Sequence, residues 1–192
     1  MNLHIIAGLR AALVLLVLSL PFAPSGAYAK SEQEIDAGVD AALAMFKKDV
    51  KGAEDYLKGA KGVLVMPNVT KAGFVIGGQS GQGALRIDGK TVGYYQMGAG
   101  SIGFQAGYQE ANFVYLFLTQ EALDNFRASN KWTAGMDFGI TVVDVGTGAS
   151  LDTLKAKSSI VAFAFGKRGL MGGWSAKGTK FTKLPSSKAT AQ

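Results

Sequence analysis

Cysteine is absent from all 192 residues, and the single histidine is His4, close to the N-terminus. No thiol means no disulfide framework, so an exported fold would be held by packing alone. It also means no thiol for a lipid anchor. If the leading segment is removed, no histidine remains, and Ser-His-Asp or Cys-His nucleophilic catalysis is impossible. Ordinary zinc, copper or haem ligation is not expected either, and no cofactor is implied. Carboxylate, lysine or tyrosine chemistry survives these exclusions, but no constellation of such residues stands out. The expectation is a protein that is not an enzyme, with no catalytic residues and no metal site. Acidic residues are also scarce toward the C-terminus: residues 151–192 hold eight lysines and arginines against the single Asp152.

The first 29 residues have Arg10 as their only charge, an apolar run from Ala11 to Leu20 broken only by Ser19, then Pro21 and a closing Ala27-Tyr28-Ala29. The run is shorter than the about 20 residues of a comfortable membrane span. Basic start, apolar core and small-x-small end are the marks of a secretory signal. Residues 1–29 therefore read as a signal peptide cut between Ala29 and Lys30, giving an exported, periplasmic or envelope-associated protein. The rest reads as one domain over 30–184 with a disordered tail at 185–192, where the composition turns to Ser, Lys, Ala and Thr.

Ser31-Glu-Gln-Glu34 is a capping box. Ile35, Val39, Leu43, Phe46, Val50 and Leu57 follow at helical spacing. This predicts an amphipathic helix over about 32–50, a break at Gly52 and a further turn or two before Gly59. With acids and bases nearly balanced in this segment, the stripe is expected to pack on a sheet, not on a membrane surface. Short runs rich in β-branched and aromatic residues then predict strands near 62–66, 72–78, 82–87, 91–97, 99–108 and 111–118. Asp88-Gly89 is a two-residue hairpin signal. A short helix is expected from Thr119 to about Ser129, with Leu123 and Phe126 facing inward. Two strands follow near 132–145, where Trp132, Ala134, Met136, Phe138, Ile140 and Val142 alternate with smaller or polar residues, and a closing hairpin at 160–166 and 169–175 around Lys167-Arg168. Glycine inside so many of these runs points to bulges and curvature. The fold class is α+β: a curved antiparallel sheet, a partly closed barrel or sandwich, with the N-terminal helix and the helix near 120–128 packed on it.

Several patterns carry less than they promise. Gly98-Ala-Gly100-Ser-Ile-Gly103 matches GxGxxG but no helix follows to hold a pyrophosphate, so these read as sheet glycines. Asn68-Val-Thr70 is a glycosylation sequon that matters only in a glycosylating pathway. Asp137 and Asp144 fall on opposite faces of one expected strand and make no acid–base pair. A transmembrane β-barrel conflicts with the helices and the short early strands.

The C-terminal bases are Lys155, Lys157, Lys167, Arg168, Lys177, Lys180, Lys183 and Lys188. Lys167 and Arg168 stand at the expected hairpin tip beside Leu170 and Met171. Cations next to apolar side chains suit an anionic membrane surface, at about 1 kcal/mol per base near the lipid. A solvated basic face is the plain alternative. Nucleic acid is not an expected partner, because aromatics do not interleave with the bases.

Three segments resemble the signature of the SYLF domain family. They are Lys61-Gly-Val-Leu-Val-Met-Pro-Asn-Val-Thr-Lys-Ala-Gly-Phe-Val-Ile-Gly-Gly78 with Gly81-Gln-Gly-Ala-Leu85; Gly100-Ser-Ile-Gly-Phe-Gln-Ala-Gly-Tyr-Gln109 with Glu121-Ala-Leu-Asp-Asn-Phe126; and Phe165-Gly-Lys-Arg-Gly-Leu-Met-Gly-Gly-Trp174. The resemblance covers residues 33 to 184 and implies a lipid-binding module. Eukaryotic members bind phosphoinositides, yeast members also bind actin, and bacterial members are exported and associate with phospholipid. Val143-Asp-Val-Gly-Thr-Gly148 stands where the family usually carries an arginine-ending element, and the basic N-terminal extension of eukaryotic members is missing. The resulting expectation is non-catalytic, peripheral binding of anionic phospholipid in a bacterial envelope through Lys155, Lys157, Lys167, Arg168, Leu170, Met171, Lys177, Lys180 and Lys183. The competing expectation is an envelope structural or interaction protein that binds a protein partner.

Overall fold

A computed structural model describes residues 30–74, 76–102, 107–136, 139–143, 150–169 and 178–185. The leading segment, Asp137, Asp144, Leu170, Met171, Lys177 and the tail from residue 186 lie outside the described residues.

Helix α1 (Glu32–Asp49) starts as its sequence dictates. Ser31 Oγ accepts the Glu34 amide at 3.2 Å, and Glu34 Oε2 accepts the Ser31 amide at 2.8 Å. These bonds hold the Glu34 carboxyl below its ordinary pKa. Ile35, Val39, Ala42 and Phe46 form its buried stripe. Gly52, at φ +80°, turns the chain into α2 (Ala53–Gly59), a conformation glycine adopts without a Cβ clash.

The strands are β1 (Gly62–Phe74), β2 (Ile76–Ile87), β3 (Lys90–Ile102), β4 (Gly107–Phe117), β5 (Lys131–Thr133), β6 (Ile140–Val143), β7 (Ile160–Gly169) and β8 (Lys180–Lys183). Helix α3 (Gln120–Ala128) precedes β5, and α4 (Leu151–Lys157) crosses from β6 to β7. One eight-stranded sheet runs in the order β5-β8-β3-β2-β1-β4-β7-β6. It is antiparallel except for β6 and β7, which are parallel and need the α4 crossover.

Several expected boundaries move. The expected strands at 62–66 and 72–78 are replaced by one strand reaching Phe74 and a second beginning at Ile76, with Phe74 and Ile76 paired. What looked like a gap is a bulge at Pro67-Asn68, with Asn68 at φ +49° and its amide donating to Asn112 Oδ1 at 2.9 Å. Gly98 does not end β3, because β2 and β8 pair with it on both sides. The expected hairpin tip at Lys167-Arg168 is also corrected: β7 continues through both residues to Gly169, and the rest of the expected strand at 169–175 lies outside the described residues. The irregularity of β7 is a bulge at Gly166 (φ +61°), after which Arg168 pairs with Glu110 and Gly169 with Gln109. Helix α4 and strand β8 were not anticipated. Trp132 and Ala134 are buried as their alternation requires, but a turn at 135–136 ends the pattern and leaves Met136 81% exposed. Asp88 (φ +50°) and Gly89 (φ +75°) form the expected tight hairpin, with Ile87 opposite Lys90.

Both faces of the sheet are covered. The concave face gathers Leu64, Leu85, Tyr95, Phe113, Tyr115, Trp132 and Phe181 around Leu123 and Phe126 of α3. Tyr115 on β4 meets Phe181 on β8 edge-on, with ring centroids 5.2 Å apart. Four strand steps separate β4 from β8, about 19 Å in a flat sheet. The sheet is therefore curled into a half-barrel. On the convex face α1, α2 and α4 cover Val63, Val65, Val114, Leu116, Val161, Phe163 and Phe165. With β1 to β4 spanning 13, 12, 13 and 11 residues, the short-strand argument against a membrane barrel lapses, and the helices on the outward face take its place. Among the described residues no helix is long and apolar enough to cross a membrane.

Candidate functional site

The six described C-terminal cations all point to solvent, but three different elements carry them. Lys155 and Lys157 occupy the last turn of α4, where positive charge complements the helix dipole. That helix exists because Ser150 Oγ accepts the Thr153 amide at 3.3 Å and Leu154 anchors its inner side. Lys167 and Arg168 lie at the far end of β7. Gly166 sets their direction: a Cβ there would stand 2.7 Å from Met45 Sδ and 2.9 Å from Asn112 Nδ2, so only glycine makes the bulge. Lys180 and Lys183 flank buried Phe181 on β8, opposite Gly98 and Tyr95.

These groups do not form one continuous face. Lys157 precedes the start of the 10-residue β7 and Lys167 and Arg168 lie near its end, a separation of about 25 Å along the strand. β8 is five positions from β7 in the sheet. None of the six makes an ion pair among the described residues. Leu170, Met171 and Lys177 lie outside the described residues, so the apolar part of the expected contact has no described geometry.

Two arrangements escaped the sequence reading. Inside the half-barrel, Lys71 on β1 pairs in register with Gln79 on β2 and Gln109 on β4, and all three are buried. Gln79 Nε2 donates to Thr179 Oγ1 at 3.1 Å. Alternation in β1 beyond the bulge would have placed Lys71 inward, had the bulge itself been legible.

The second is a cleft of about 390 Å³ between α1, α2 and the β2–β3 hairpin. Leu43, Leu57, Ala60 and Val63 give it an apolar lining, and Lys47, Lys58 and Lys61 stand at its rim. Arg86 closes one end. Its Nη2 donates to Asp36 Oδ1 at 3.1 Å and Asp40 Oδ1 at 2.9 Å, and its Nη1 to the Gly89 carbonyl at 3.2 Å. Its Nε is buried with no partner among the described residues. In sequence these lysines sit in a charge-balanced segment, and only the fold separates them from the acids.

Residues 98–190 match the family described as Ysc84, a Las17-binding protein actin regulator. Two yeast relatives, both LAS seventeen-binding protein 3, from Saccharomyces cerevisiae strains YJM789 and ATCC 204508 / S288c, are each 29% identical over 133 residues, covering 65% of this chain. The matched stretch spans 28% of each relative's length. Over residues 98–190 the chain is thus similar to the Ysc84 (SYLF) family, the one its motifs resemble. Family and relatives alike are described by what they bind, not by a reaction.

Proposed function

We propose that this protein binds anionic phospholipid surfaces peripherally, without catalysis, in a bacterial envelope after removal of residues 1–29. One observation carries the reading. The last 42 residues hold eight bases against one acid, and every described base among them is exposed and free of ion pairs with described residues. Such a surface gains about 1 kcal/mol per base brought close to an anionic leaflet, and the gain is screened by salt. The lipid-binding role implied by the SYLF resemblance, together with the match of residues 98–190 to that family, supports that use.

The test is sedimentation with vesicles of increasing phosphatidylglycerol content at low and moderate salt. Binding should rise with anionic lipid and fall with salt. Because the cations occupy three places, three double variants map the contact: K155E/K157E, K167E/R168E and K180E/K183E. The pair that touches lipid should weaken binding about tenfold or more and flatten its salt dependence. Wild-type strength in K167E/R168E removes those two residues from the contact. No binding at any composition refutes the reading.

A second reading is a protein partner. The edge strand β6, Ile140–Val143, is uncharged, with Val142 49% exposed, which suits addition of a partner strand. Capture of one stoichiometric envelope protein, with no lipid preference, would favour it.

A further inference from the structure

We infer that the cleft between α1, α2 and the β2–β3 hairpin is a binding site for a single-chain anionic amphiphile, a free long-chain carboxylate. Its volume, about 390 Å³, falls in the range of about 300–1,000 Å³ typical of small-molecule sites. Its lining divides by chemistry. Leu43, Leu57 and Ala60 are half-buried at the edge of the convex core, so they offer apolar surface that the fold itself does not cover.

Charge selects an anionic head. Asp40 is held by Arg86 at 2.9 Å, which leaves Asp88 as the one uncommitted carboxylate of the lining. Against it stand Lys47 and Lys61, neither ion-paired among the described residues, and Lys58, which reaches Glu54 only at 4.0 Å in an exposed pair worth little. An uncharged head would not answer the lysines, and a cation would meet three ammonium groups. An apolar trough with cations at its mouth fits an acyl chain ending in a carboxylate. The site uses none of the C-terminal bases, so it stands or falls separately from vesicle binding.

The experiment is titration of the purified protein with decanoate below its micelle concentration, followed by calorimetry and by the methyl resonances of Leu43, Leu57, Ala60 and Val63. Saturable one-to-one binding is expected, with shifts centred on those four residues. Decan-1-ol should bind about tenfold more weakly, since it keeps the chain and loses the charge. K47E/K61E should weaken decanoate by a similar factor, and Ala60→Trp, which fills the trough, should abolish saturation. K167E/R168E should leave it unchanged. Folding of the variants is checked by circular dichroism, and the exposed K47E/K61E pair keeps the test valid if Ala60→Trp does not fold. Equal affinity for decanol, shifts located elsewhere, or binding lost in K167E/R168E but kept in K47E/K61E would each overturn the assignment.

Discussion

Arg86 on β2 and Asp36 on α1 are joined at 3.1 Å, and this contact fixes how the first helix lies on the sheet. Asp36 is fully used: Oδ1 also accepts from Thr91 Oγ1 at 2.7 Å, and Oδ2 accepts from the Tyr94 hydroxyl at 2.8 Å. Three strand residues thus converge on one carboxylate of the helix. The Arg86 side chain is only 16% exposed, so removing it leaves the part-buried Asp36 without its cation and beside the exposed Asp40. Arg86→Met should lower unfolding stability by about 2–3 kcal/mol, and Asp36→Asn by about 1–3 kcal/mol, in urea titrations. A change under about 0.5 kcal/mol in both would show that apolar packing alone seats α1.

The same carboxylate governs Tyr94. Partial burial, followed by the bond to Asp36, pushes its hydroxyl up to about 12 from the ordinary 10. A raised folded-state pKa favours the protonated form in the native protein. The stability it contributes is therefore complete below about pH 10 and is lost as pH climbs toward about 12. Tyr94→Phe should cost about 1 kcal/mol at neutral pH for the lost hydrogen bond. It should also make the decline in stability between pH 10 and 12 shallower than in the parent, as read by denaturant midpoints across that range.

Tyr115 and Phe181 give opposite expectations although they touch. The Tyr115 hydroxyl is wholly buried with no partner among the described residues, and burial drives its pKa upward. Tyr115→Phe removes an unsatisfied group at constant shape, so stability should hold or rise by up to about 1 kcal/mol. Phe181→Ala opens a void on the concave side and should cost about 3–5 kcal/mol. Thermal denaturation of the two variants checks both signs.

How much of this was legible in the residues depends on how local the cause was. Ser31 and Glu34 lie three positions apart, and Asp88-Gly89 sits between two apolar runs; both elements formed as read. The helix around Leu123 and Phe126 likewise carried its own spacing. Pro67-Asn68 and Gly166 misled, because a bulge and a turn draw on the same residues and only the partner strand decides between them. Lys167 and Arg168 moved from a tip to a strand end for that reason. The cleft was invisible because Lys47, Lys61 and Arg86 converge only after α1 crosses the sheet.

The matched segment, 98–190, invites use as a minimal domain. Its strands lie on both sides of β1 and β2, which occupy the middle of the sheet. Residues 98–190 alone should therefore remain unfolded, with no cooperative thermal transition. Adding residues 30–97 as a separate chain should restore one if the two halves associate.

The Tyr115–Phe181 contact also sets an order in time. The strand that supplies Phe181 pairs with Tyr95 and Met97, so the inner core is completed by a strand that joins partners made much earlier in the chain. Such long-range closure is slow, because loop entropy is lost before any contact compensates it. A ribosome releasing this chain cannot finish the half-barrel until residue 181 is free. Until then Tyr95, Tyr115 and Trp132 stay without their last neighbour, and the nascent half-barrel remains pliable.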